Sequence, residues 1–243
     1  MKVEDYVVYF LLGLREISDT IIFVSDCDLE LVQRKKLEGV VEHLLVGRHG
    51  EYDFGSYKRG FHFAEKNGLI KECNSIVFVN DSCYAPLFGF HEIFEKMTLA
   101  SCDYWGFTEN YLRHRRPRPH LQSFFLVFYD NVFRSDAFRL FFNSVSKQNS
   151  KRDVIENYEI GLSEALGRAG YKYGSVIPRD KTTSNLMMKK WQFLITHHRS
   201  PFLKKSLFLK RYRGWRLPLS LWLKFVIKRN TSFPLELLEK PPC

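Results

Sequence analysis

Three observations predict an α/β fold with a mostly parallel sheet for this 243-residue chain. Short runs of β-branched and aromatic residues alternate with longer amphipathic stretches, as strands buried on both faces alternate with crossover helices. The best of these runs, Ile76-Val77-Phe78-Val79, stops abruptly on Asn80-Asp81-Ser82, and ligands of open α/β sheets bind beyond such strand ends. The 22 phenylalanines and an aromatic content of 16% supply enough bulk for a core between sheet and helices.

Residues 3–15 carry apolar side chains at Val7, Val8, Phe10, Leu11, Leu12 and Leu14, which suits a helix with one broad buried face. Ser18-Asp19 ends it, and residues 20–24 read as a strand with Ser25-Asp26 at its end. Asp28 suits the cap of a helix reaching Leu37, followed by a second strand over 40–46. A helix over 56–67, the strand over 76–79 and a helix over 90–97 continue the alternation. Strands are expected over 103–108 and 123–128, helices over 132–145 and 154–169, and a closing strand over 171–176; Gly170 is placed as the C-cap between the last two. The run Arg113-His114-Arg115-Arg116-Pro117-Arg118-Pro119 is too polar and Pro-rich for an element and reads as a loop over the carboxyl edge of the sheet. Beyond Asp180 short helices are expected over 186–198, 202–211 and 217–228.

Charge divides the chain at the same point. Residues 181–243 hold 14 Lys and Arg against two acids, leaving 23 of the 37 basic and 25 of the 27 acidic residues in 1–180. A near-neutral α/β domain over 1–180 is therefore followed by a basic, aromatic-rich helical segment over 181–243, and such asymmetry points to an anionic surface as partner. Trp191, Trp215 and Trp222 among the basic residues suit an anionic bilayer interface, although the same composition also suits a solvated appendage. No recognition motif accompanies it, so nucleic acid is not expected. The five cysteines have no close-pair spacing and imply neither zinc nor a disulfide framework. No apolar run approaches the ~20 residues that span a bilayer. The acidic N-terminus does not resemble a signal peptide, so a cytoplasmic protein peripheral to the membrane is expected.

Two polar corners about one βα unit apart, Asp53-Phe54-Gly55 and Asn80-Asp81-Ser82, suggest a single site for a phosphorylated ligand. The Asp-Phe-Gly triplet lacks the Gly-rich loop and His-Arg-Asp segment of a kinase. The stretch from Gly47 to Gly60 and the run from Asn80 to Leu87 resemble the rhamnan synthesis protein F family. So do Cys102-Asp103-Tyr104-Trp105-Gly106, His120-Leu121-Gln122-Ser123, Tyr158-Glu159-Ile160-Gly161-Leu162 and Pro201-Phe202-Leu203-Lys204. In order, these cover roughly 21–205. The resemblance implies a GT-A-like, Rossmann-like glycosyltransferase of bacterial surface polysaccharide assembly. Its donor would be a nucleotide-diphosphate sugar, such as one of rhamnose, and its acceptor a lipid-linked glycan. Folds of this kind open on a strand, whereas here a helix is expected first.

Glycosyl transfer needs a counter-charge for the diphosphate, a hold on the sugar and, for inversion, a carboxylate to deprotonate the acceptor hydroxyl. Asn80, Asp81 and Ser82 offer hard oxygen donors, and Asp81 is the candidate ligand of a divalent metal, Mg²⁺ or Mn²⁺; the same triplet also suits a turn and a helix cap. Asp53, Gly55 and Lys58 are candidates for the donor, Lys58 against phosphate, with Asp53 as a helix cap the alternative. Glu159 is the candidate base, although an acid early in a helix is favoured by the dipole regardless. Asp103 and Trp105 would hold a sugar ring, with Trp105 equally suited to the core, and His120 and Gln122 would orient acceptor or sugar.

Overall fold

The computed structural model describes residues 2–112, 118–179, 185–208 and 219–238. The chain opens on α1 (Asp5–Leu14), which buries Tyr6, Val7, Phe10, Leu11 and Leu14 on one face. Then follow β1 (Ile22–Ser25), α2 (Leu31–Lys35), β2 (His43–Val46), α3 (Tyr52–Lys66), β3 (Ser75–Val79), the two-residue β4 (Cys83–Tyr84) and α4 (His91–Thr98). The nine-residue β5 (Tyr104–Leu112) precedes β6 (Arg118–Leu121) and β7 (Phe125–Tyr129). Next come α5 (Asp130–Phe133) and α6 (Asp136–Asn143), separated where Ser135 caps the second through the Phe138 N–H. A continuous helix then runs from α7 (Lys151–Val154) through a π-helical turn (Ile155–Ile160) into α8 (Gly161–Arg168). The described chain closes with β8 (Tyr173–Ile177), α9 (Leu186–Lys189), α10 (Trp191–His198), β9 (Leu203–Lys204) and α11 (Leu219–Asn230).

The fold is mixed α/β. β1 and β2 pair in parallel. In the larger sheet β3, β5 and β8 run one way, but β7 runs against both β3 and β5, and β6 against β5. This departs from the mostly parallel sheet that alternation predicts, because β7 follows β6 directly with no crossover helix between them. The stretch expected to be a loop over 113–119 is part of the reason. Arg118 and Pro119 belong to β6, paired with Leu112 and Tyr111, and residues 113–117 lie outside the described residues. The helix expected over 202–211 is also corrected in its described part, 202–208, where Leu203 and Lys204 pair with Tyr84 and Cys83 as a ladder; residues 209–211 lie outside the described residues. A long-range strand pairing overrides the helical spacing of Phe202, Leu203, Leu207 and Phe208.

Side-chain alternation splits the core into two. Along β7, Phe125 and Val127 face one layer, with Trp105, Phe90, Phe202 and helices α1, α10 and α11. Leu126 and Phe128 face the other, with Phe54, Phe61, Phe78, Phe138 and Phe142. The period of two is what a sheet covered on both faces requires. The basic C-terminal segment is drawn into the first of these layers, where Leu223, Val226, Ile227 and Phe233 are buried with Tyr6 and Tyr84.

Candidate functional site

β6 and β7 are one antiparallel partner of β5 interrupted by a bulge. Glu109 pairs with Leu121 and Gly106 with Leu126, so four residues of one strand, Gln122 to Phe125, oppose Phe107 and Thr108 of the other. Such bulges re-aim side chains. Here the break turns Ser123 toward two acids. Its hydroxyl lies 2.7 Å from Asp53 Oδ2 and 2.7 Å from Glu159 Oε1. Its N–H donates to the same Glu159 oxygen at 3.0 Å, and its carbonyl accepts the Tyr57 hydroxyl at 2.8 Å. Asn80 Nδ2 donates to Asp53 Oδ2 at 3.1 Å. Three corners of the sheet thus meet at one serine, which the sequence motif contains but composition and spacing do not single out.

A hydroxyl has one proton, so Ser123 cannot donate to both carboxylates at once. His120 raises the same difficulty on the other side. Its Nδ1 lies 2.9 Å from the Arg118 carbonyl, an acceptor only, so Nδ1 carries a proton. Its Nε2 is wholly buried, has no hydrogen-bond partner among the described residues, and lies 3.7 Å from Glu159 Oε2. The two atoms face each other in a buried position without a direct hydrogen bond. Asp53, Ser123, Glu159 and His120 therefore form one connected row of polar side chains. Burial, with the Asp53 and Glu159 charges behind it, pushes the Tyr57 hydroxyl well up, so it stays a neutral donor.

Local structure explains the placement. Helix α3 begins at Tyr52, not near Ser56, with Tyr52 in the left-handed region at φ 58°, a conformation unusual for a bulky residue. Asp53 consequently lies inside the first turn and is not the cap, a position Glu51 holds. Gly55 lets the preceding turn lie against the helix: a Cβ there would meet Glu51 Cβ at 2.3 Å and His49 Nδ1 at 2.7 Å. The turn itself is fixed by Asp26 from the end of β1, whose carboxylate accepts from the His49 and Gly50 N–H groups. Burial pushes Asp26 up, but these bonds prevail and hold it below the usual carboxylate range. Glu159 sits on the π-helical turn, a distortion frequent at functional sites.

Asp26, His49 and Ser56 superficially repeat the order of a hydrolytic triad, with His49 Nε2 3.1 Å from Ser56 Oγ. The tautomer is wrong: the Glu51 N–H donates to His49 Nδ1 at 3.1 Å, so Nε2 is the protonated nitrogen and cannot accept from the serine.

Asn80, Asp81 and Ser82 form a second corner. Asn80 Oδ1 accepts the Ser82 N–H at 3.1 Å, an Asx turn. Asp81 Oδ2 accepts from Tyr6 at 3.0 Å and from Lys205 Nζ at 3.1 Å. Ser82 Oγ accepts from Lys204 Nζ at 3.0 Å. Among the described residues no group of three or more His, Cys, Asp and Glu could hold a metal ion. Amide, hydroxyl and ammonium donors already take Asn80 Oδ1, Asp81 Oδ2 and Ser82 Oγ, three of the oxygens that a divalent cation would use.

The remaining candidates lie apart. Lys58 Nζ reaches the Val145 carbonyl at 2.8 Å. Asp103 lies at the opposite end of the sheet, accepting from Asn131 Nδ2 at 2.7 Å and from the Lys172 N–H at 2.8 Å. Trp105 is fully buried against Phe94 and Phe125. Gln122, buried beside Ser123, accepts from the Thr108 hydroxyl at 2.8 Å.

Among known proteins, the family described as rhamnan synthesis protein F matches residues 21–241, from the residue before β1 onward. An uncharacterized protein of Sinorhizobium fredii is 27% identical over 135 residues, 55% of this chain and 35% of that protein. The virulence protein VirA of Vibrio anguillarum is 28% identical over 145 residues, 59% of this chain and 45% of that protein. The chain therefore spans less than half the length of either. No solved structure matches it.

Proposed function

The chain belongs to the rhamnan synthesis protein F family, and on that premise we propose that it is a glycosyltransferase of polysaccharide synthesis. It uses a GT-A-like domain to move a sugar, such as rhamnose, from a nucleotide diphosphate to a growing glycan. One observation carries the reading: Asp53 and Glu159, 106 positions apart, both stand 2.7 Å from the Ser123 hydroxyl. Converging acids of this kind hold sugar hydroxyls and take protons from them.

In an inverting displacement the acceptor oxygen attacks the anomeric carbon while the bond to the diphosphate breaks. Glu159 takes the acceptor proton, and Asp53 and Asn80 hold the donor sugar. His120, its Nε2 3.7 Å from Glu159 Oε2, positions the base without touching substrate. The acceptor is carried on a lipid. Support for a membrane surface comes from α11, which buries Leu223, Val226 and Ile227 but exposes Leu221, Trp222 and Phe225 beside Lys224 and Lys228. Among the described residues no helix is long and apolar enough to cross a membrane, so the contact would be interfacial.

The test is a panel of nucleotide sugars, scored for released nucleoside diphosphate and for sugar on an acceptor. Wild-type turnover with one donor supports the reading. A protein that binds a nucleotide sugar without ever turning it over is instead a non-catalytic subunit of the assembly machinery.

A further inference from the structure

We infer that Lys204 and Lys205 form a fixed cationic seat for the diphosphate of the donor, beside the carboxylates that handle the sugar. The nature of the ligand rests on the glycosyltransferase reading; the seat itself rests on the following geometry. Lys204 is half-buried, its Nζ 3.0 Å from Ser82 Oγ and 4.0 Å from the centre of the Phe124 ring. No carboxylate lies within ion-pair distance of it among the described residues. A half-buried ammonium with a hydroxyl and a ring face for company lacks a counter-ion. Lys205 does have one, Asp81 at 3.1 Å, but that side chain is 56% exposed against 27% for the lysine. Asp81 is thus the more exposed partner of the pair, held by Lys205 and by the Tyr6 hydroxyl at 3.0 Å.

Both cations are held by backbone. β9 pairs with β4, and the Lys205 N–H donates to the Ser82 carbonyl at 3.1 Å. Their flanks Phe202, Leu203, Cys83 and Tyr84 are buried. Charges fixed in this way need no reorganisation when an anion binds or a diphosphate leaves. The triplet at the end of β3 separates the two kinds of charge: Asn80 is bonded to Asp53, and Ser82, two residues on, to Lys204. A sugar diphosphate laid across the triplet would meet acids at its sugar and lysines at its phosphates. The seat thereby supplies the counter-charge that a divalent metal would otherwise supply.

Inorganic pyrophosphate, titrated calorimetrically into the full chain with a chelator present, tests this. The wild type is expected to bind, with affinity falling as salt rises. Lys204→Gln should weaken binding about tenfold or more, and Lys204→Arg should largely keep it. Lys205→Gln gives a second reading should Lys204→Gln fail to fold. Wild-type affinity in both glutamine variants, or wild-type binding that appears only on adding Mg²⁺, overturns the seat. Failure of the two ideas is distinguishable. Sugar transfer by both glutamine variants at the wild-type donor KM removes the seat and leaves the enzyme. Pyrophosphate binding that depends on Lys204 in a protein inert toward every nucleotide sugar removes the enzyme and leaves the seat.

Discussion

Asp103 and the Asp53–Glu159 pair occupy opposite ends of the same sheet, and they differ in how their oxygens are matched. Each Asp103 oxygen has its own N–H donor, from the Asn131 side chain and the Lys172 backbone, neither of which can give up its proton. That carboxylate ties the start of β5 to the start of β8. At the other end Asp53 and Glu159 compete for one hydroxyl proton, and Glu159 faces a histidine nitrogen as well. On the proposed reading, the acid with a donor for each oxygen is structural, and the acids that meet at one hydroxyl are the ones with chemistry left to do.

The largest effect that would test this contrast is on turnover. Glu159→Gln should lower sugar transfer by about 10²–10⁴-fold, the usual contribution of a general base, while leaving donor binding near wild type in a thermal-shift titration. An active variant would put Glu159 among the structural acids. Ser123→Ala comes next. It removes the bridge between the acids and should cost about 1–3 kcal/mol in denaturant unfolding, with transfer reduced about tenfold or more. Asp103→Ala sharpens the comparison from the other end, with about 1–2 kcal/mol of stability lost and kcat unchanged; a fall in kcat would make the two ends alike.

The smallest effect concerns pH. Burial, then the Arg59 charge, holds His49 below its ordinary value of 6.5. A histidine depressed on folding contributes stability that is present above that value and is lost as pH falls through the folded one, because the unfolded chain takes up the proton first. Asp26 has the same sign lower down, below its ordinary value of 3.8. The unfolding midpoint should therefore fall from about pH 6.5 downward, and His49→Asn should flatten that slope. An unchanged slope would remove His49 from the balance.

The strands over 22–25, 43–46, 75–79 and 173–177 were legible because β-branched runs bounded by polar residues say where a buried strand must stop. Asp53, Asn80 and Glu159 were legible as separate corners for the same reason. Ser123 was not, because its role depends on a register break that only pairing with β5 creates. A hint existed: Gln122-Ser123 interrupts an apolar run from Leu121 to Phe128. Lys204 and Lys205 were hidden more deeply, since their spacing fits a helix and their partners lie 122 and 124 positions earlier. Asp103 and Trp105 carried the right residue types for a sugar site, but the direction of β5 puts one at the far end of the sheet and the other in the core.

The two-residue ladder between β4 and β9 has a consequence for synthesis. Cys83 and Tyr84 leave the ribosome long before Leu203 and Lys204 exist to pair with them, so the rest of the sheet can assemble while this corner waits. In a nascent chain Asp53, Asn80, Ser123 and Glu159 are therefore all made before Lys204 and Lys205 exist to join Ser82 and Asp81.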